Sequence, residues 1–95
     1  MGQQEMVELI DKAIERASQD AERTDDQMVK YALDALHSTR EKVIASWPLS
    51  GDDAITYLGL HATRNLLPDF EELSDFLIQI DFFARHPTME TIPSF

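Results

Sequence analysis

A chain of 95 residues, 43% hydrophobic and 27% charged, suits one domain around one core and is too short to divide its apolar residues between two. The absence of cysteine excludes a disulfide framework, a thiolate metal site and a thiol nucleophile. Eighteen Asp and Glu against eight Lys and Arg give a formal net charge of −10, which repels phosphate backbones and anionic membranes and attracts basic proteins.

The first predicted helix covers about residues 3–22. Met6, Leu9, Ile10, Ala13, Ile14, Ala17 and Ala21 recur at three- and four-residue spacing and gather into one stripe, with Glu8 placed four residues before Lys12 for an intrahelical pair. A capping box at Thr24 to Gln27 predicts a second helix over about 25–46, with Val29, Leu33, Leu36, Val43, Ile44 and Trp47 inward. Pro48 ends it by disfavouring helical geometry at Trp47. Asp52 and Asp53 suit the positive end of a helix dipole and predict a third helix over about 52–66, with Ile55, Leu58, Ala62 and Leu66 as its stripe.

Pro68 fits a first helical turn and Asp69 with Glu72 offers a cap, so a fourth helix follows over about 69–85. Its broad apolar face is Phe70, Leu73, Phe76, Leu77, Ile80 and Phe83. Residues 87–95, with Pro87 and Pro93, read as an extended tail. Short links make neighbouring helices antiparallel, so the expected architecture is all-α: a four-helix bundle or compact four-helix array.

Three surfaces carry more apolar content than one core needs. Ile78 and Phe82 lie four residues apart on the outer side of helix four, flanked by Glu71 and Asp75, which is the layout of an apolar anchor inside an acidic rim. The structural alternative is a returning tail that covers them with Ile92 or Phe95. Tyr57, Leu60 and Arg64 stand off the main stripe of helix three. They suit either a binding face or a central helix with two packed sides, and Gly59 would permit close backbone approach in the second case. Met28, Tyr31 and Ala35 form a smaller outward cluster on helix two, and Arg40 interrupts the stripe of that helix, where it can snorkel outward or pair with a carboxylate.

Tests for chemistry give nothing specific. His37, His61 and His86 lie on different predicted elements without metal-ligand spacing, Glu71 with Asp75 is an ordinary solvated pair, and three glycines supply no phosphate-cradling loop. No catalytic, metal or cofactor residue is assigned. The expectation is a non-enzymatic cytoplasmic protein-binding module that neutralises a basic partner such as a nuclease, a toxin or a DNA-binding regulator, with no direct nucleic acid and no membrane. Its expected contact residues are Glu71, Asp75, Ile78, Phe82, Tyr57, Leu60 and Arg64. In size, charge and helix count the chain is similar to the small acidic helical immunity proteins of bacteria, which implies an antitoxin-like inhibitor of bacterial or phage origin. The alternatives are a homodimeric helical adaptor joined through Ile78 and Phe82 or Tyr57 and Leu60, and a ligand pocket lined by Trp47, Tyr57 and Phe76.

Overall fold

The stripe of the first helix needs two partners, because seven apolar side chains from Met6 to Ala21 cover more surface than one neighbouring helix can bury. In the computed structural model, which describes residues 1–93, it has both. Helix α1 (Gln3–Thr24) packs on α2 (Gln27–Ala45) along one side and on α4 (Glu71–Arg85) along the other. Between α2 and α4 the chain forms a 3-10 turn (Gly51–Ala54), the short helix α3 (Leu58–His61) and a π-helical turn (Ala62–Leu66). No strand occurs among the described residues, so the fold is the expected all-α array of four helices.

Met6, Ile10, Ala13 and Ala17 of α1 meet Val29, Ala32, Leu36 and Val43 of α2 and Leu73, Leu77 and Ile80 of α4 in one continuous core. The antiparallel register of α1 and α2 is tied at two levels: Gln3 Nε2 donates to the Val43 carbonyl at 2.8 Å, and the Arg40 guanidinium grips Asp11 at 2.6 Å. Hydrogen bonding to the Asp11 carboxylate, and its charge, hold Arg40 still more firmly protonated than usual. A chain of charges joins α1 to α4, in which Arg23 and Arg16 flank the buried Asp20 and Arg16 reaches Glu72 at 2.6 Å.

Several local expectations give way to tertiary packing. Thr24 does not cap α2. The α1 helix continues through it, and its hydroxyl donates back to the Asp20 carbonyl at 2.7 Å. Asp25 then turns the chain in a left-handed conformation (φ 53°), and Asp26 caps α2 by accepting from the Met28 and Val29 amides. The Lys30 ammonium, hydrogen-bonded to Asp25, lowers that carboxyl below its ordinary value. Glu8 accepts from Gln4 at 3.3 Å and forms no ion pair with Lys12. Ile44 is 52% exposed, because the inward positions of α2 are Ala32 and Thr39 together with Val29, Leu36 and Val43.

The continuous third helix expected over 52–66 is absent. Ile55 and Thr56, both β-branched and poor helix formers, lie outside any helix, Ile55 with an extended backbone, and the Thr56 hydroxyl donates to Asp81 Oδ1 at 2.9 Å while accepting from the Leu58 amide at 3.3 Å. That bond to α4 stops the 3-10 turn and restarts the chain as α3. Leu58, Ala62 and Leu66 are buried as expected, whereas Ile55 is 47% exposed. The fourth helix starts at Glu71, after a turn over 67–70, without a side-chain cap.

Gly59 permits the close approach of α3 to α4. A Cβ built there would lie 2.6 Å from Asp81 Oδ2, and Asp81 cannot swing aside without cost because Thr56 and Arg85 hold its two oxygens. Gly59→Ala gains about 1 kcal/mol of helix propensity but overpacks this contact for about 1–3 kcal/mol. A net loss of up to about 2 kcal/mol is expected in urea denaturation; a variant more stable than wild type would show that Asp81 is not held as described.

Candidate functional site

The break in the third helix creates the surface of interest. Tyr57, the residue before α3, has φ 60°, a left-handed conformation costly for a residue with a Cβ. Its side chain is 66% exposed, so packing does not repay that cost. Five residues further on, at Ala62, the chain widens into the π-helical turn, closed by the Leu67 amide donating to the Ala62 carbonyl at 3.0 Å. Such one-turn irregularities recur at functional sites, where they re-aim side chains. Here the two irregularities bracket Leu60 and His61 and set Arg64 on the outer side.

Tyr57 and Leu60 form a ridge between two open grooves. The first groove, about 360 Å³, lies against α2 and is walled by Met28, Tyr31, His61 and Arg64. The buried His61 closes its floor. His61 Nε2–H donates to the Met28 carbonyl at 2.9 Å and Nδ1 accepts from Asn65 Nδ2 at 2.8 Å, so both ring nitrogens are occupied. Tyr31, 60% exposed, tilts over the imidazole with ring centroids 4.8 Å apart. The second groove, about 460 Å³, lies against α4 and is walled by Ile55, Thr63, Ile78, Asp81 and Arg85.

The structure joins some of the expected contact residues and separates others. Tyr57, Leu60 and Arg64 come together on the first groove, and Ile78, 36% exposed, joins Tyr57 and Leu60 on the second. Two surfaces expected to be independent are therefore one. Phe82 does not accompany Ile78: it is half-buried against the core, edge-on to Phe83 at 5.4 Å and stacked obliquely on His86 at 4.7 Å. Glu71 and Asp75 are exposed on the Ile78 side of α4, but neither lines a groove.

Among the described residues the tail does not cover Ile78. Ile92 lies across a different cleft, beside Leu9, Gln79 and Phe83, while Phe95 falls outside the described residues. The three-aromatic pocket is likewise not assembled. Trp47 Nε1 donates to the Met1 carbonyl at 3.0 Å, Phe76 is half-buried against the core, and only Tyr57 of the three reaches a groove.

Comparison with protein-family models, with curated protein sequences and with solved structures finds no match. Among the described residues no group of three or more His, Asp or Glu side chains converges as a metal site, and no helix is long and apolar enough to cross a membrane.

Sequence reasoning missed Asp81, Thr56 and Asn65. Asp81 reads as one more solvated carboxylate on a helix, and nothing local to it reports that Thr56, 25 residues earlier, will donate to it. His61 and Asn65 do carry a local signal. Their i, i+4 spacing lets one side chain hold the other, as the 2.8 Å contact shows.

Proposed function

We propose that the protein is a non-enzymatic binding module of the cytoplasm that docks a basic protein on the Tyr57–Leu60 ridge and neutralises it, as an immunity or antitoxin-like inhibitor of a nuclease, toxin or DNA-binding regulator in a bacterial or phage setting. The observation that carries the reading is an apolar ridge, held by a costly backbone and left open to solvent, on a chain of net charge −10. Large aromatic and aliphatic side chains beside open grooves supply the desolvated anchors on which binding energy concentrates. The surrounding negative field speeds encounter with a cationic partner and rejects acidic ones.

The test is a capture at low salt with the full chain as bait, followed by titration of the isolated pair. A basic partner is expected, with affinity falling about tenfold or more as ionic strength rises from about 0.05 to 0.5 M. Capture of acidic proteins only, or affinity indifferent to salt, sinks the reading.

The exposed ridge also suits a homodimeric adaptor, in which two copies bury it symmetrically. The salt response then reverses. Two surfaces of charge −10 repel each other, so added salt screens the repulsion and strengthens the dimer in sedimentation equilibrium.

A further inference from the structure

The charge of the first groove runs against that of the rest of the molecule. Arg16, Arg23, Lys30, Arg40, Lys42 and Arg85 each pair with a carboxylate of the same chain. Lys12 and Arg64 form no such pair among the described residues, but Lys12 lies in a cleft beside Glu5 and Glu8, whereas Arg64 does not. No Asp or Glu lines the groove beside it. The second groove differs, because its Arg85 is already bound to Asp81 at 3.0 Å.

Among the described residues Arg64 is the one Lys, Arg, Asp or Glu that lines this groove. Tyr31 and Tyr57 line it too, and their hydroxyls, which can donate or accept, have no partner in the protein among the described residues. The Asn65 amide is directed to His61. Met28, Tyr31, Leu60 and the face of Tyr57 make the remaining walls apolar. A purely cationic segment would bring its charge against an unpaired guanidinium here, which costs affinity at the point where the apolar contacts are made.

We infer that the first groove receives an apolar side chain adjoining a carboxylate, presented by a segment of the partner that is otherwise basic. This rests on the proposed docking of a basic protein and adds the chemistry of its contact. The apolar side chain fills the space between Tyr31 and Leu60. The carboxylate accepts from Arg64, whose planar guanidinium can offer two parallel N–H donors. A carboxylate carried on a cationic segment brings its own compensation for the −10 background, which a free anion or a phosphate dianion lacks. The single cation in the groove then works as a selectivity element, since a basic protein without the carboxylate is attracted to the surface but mismatched at its centre.

The experiment uses the full chain, labelled with 15N, and two lysine-rich peptides that each contain one phenylalanine, followed by glutamate in one and by glutamine in the other. The glutamate peptide is expected to bind about three- to tenfold more tightly, with amide shifts centred on residues 28–35 and 57–65. Arg64→Glu is expected to invert that preference, and Arg64→Gln to remove it, each with an otherwise unchanged amide spectrum because Arg64 is exposed. Equal binding of the two peptides to wild type overturns the inference while leaving the general reading in place, provided both bind and both weaken with salt. Shifts confined to other surfaces overturn the assignment of the groove. Tighter binding of both peptides to Arg64→Glu also overturns it, because Arg64 is then only a local repulsion. If neither peptide binds at low salt, the inference fails and the charge-based reading fails with it.

Discussion

Tyr57→Gly is expected to make the protein slightly more stable and to weaken partner binding by tenfold or more. The two effects have separate causes. A left-handed backbone at a residue with a Cβ costs about 1–2 kcal/mol, which glycine avoids, while the greater freedom of glycine in the unfolded chain takes back about 0.5–1 kcal/mol. Little packing is lost, because the tyrosine side chain is 66% exposed, and its carbonyl, which accepts from the His61 amide at 3.0 Å, is retained. The net gain is up to about 1.5 kcal/mol, and Tm rises by roughly 4–8 °C for each kcal/mol gained in a domain of this size.

Binding moves the other way. An exposed tyrosine that walls both grooves is a candidate for the central aromatic contact, and truncating such a residue costs about 2 kcal/mol or more. Thermal melting and titration with the partner check the two halves independently. A Tyr57→Gly protein that is less stable, or that binds as well as wild type, would show that the tyrosine serves the fold and not the interface.

Leu77→Ala and Ile78→Ala, one residue apart on α4, are expected to differ in stability by several kcal/mol. Leu77 is fully buried in the core shared by α1, α2 and α4, and its truncation leaves a cavity that the neighbouring helices cannot close, at a cost of about 2–5 kcal/mol. A loss of that size is a large fraction of the total stability of a small domain. Ile78 faces the second groove and is only partly covered, so its truncation is expected to cost less than about 1 kcal/mol. Chemical denaturation of the two variants with equal m-values checks the contrast. If Ile78→Ala proves as damaging as Leu77→Ala, the groove it lines is closed in solution and is not available to a partner.

Much of the fold was legible because its signals are local. The stripes of α1 and α4 depend on spacing along a single helix, and Met6, Ile10, Ala13, Leu73, Leu77 and Ile80 are all buried where that spacing puts them. For Arg40 the sequence left two outcomes open, snorkelling outward or pairing with a carboxylate of another helix, and the half-exposed guanidinium does both at Asp11. The close approach at Gly59 followed from the absence of a Cβ.

The candidate site was less legible. Tyr57, Leu60 and Arg64 stood out as residues off the stripe of a helix, yet the helix they were assigned to does not exist over that span. Ile78 and Phe82 looked equivalent on a helical wheel, but Phe82 turns toward Phe83 and His86 and leaves Ile78 to face α3. A wheel records direction around one axis. It carries no information about which neighbour stands in that direction.

The sequence by itself determined the helical class, the single core, the acidity and the residues that had to be inside, since each of these follows from composition or from periodicity within one segment. Only the tertiary structure decided the shape of the surface between α2 and α4. There a bond from Thr56 to Asp81 outweighs the helical spacing of residues 52–66, so the segment breaks, Tyr57 is turned outward, and Arg64 stands beside it with no carboxylate partner among the described residues. The reason is one of energy scale. Local helix preferences amount to tenths of a kcal/mol per residue, and one half-buried hydrogen bond to another helix, together with the burial of Leu58, Ala62 and Leu66, exceeds them.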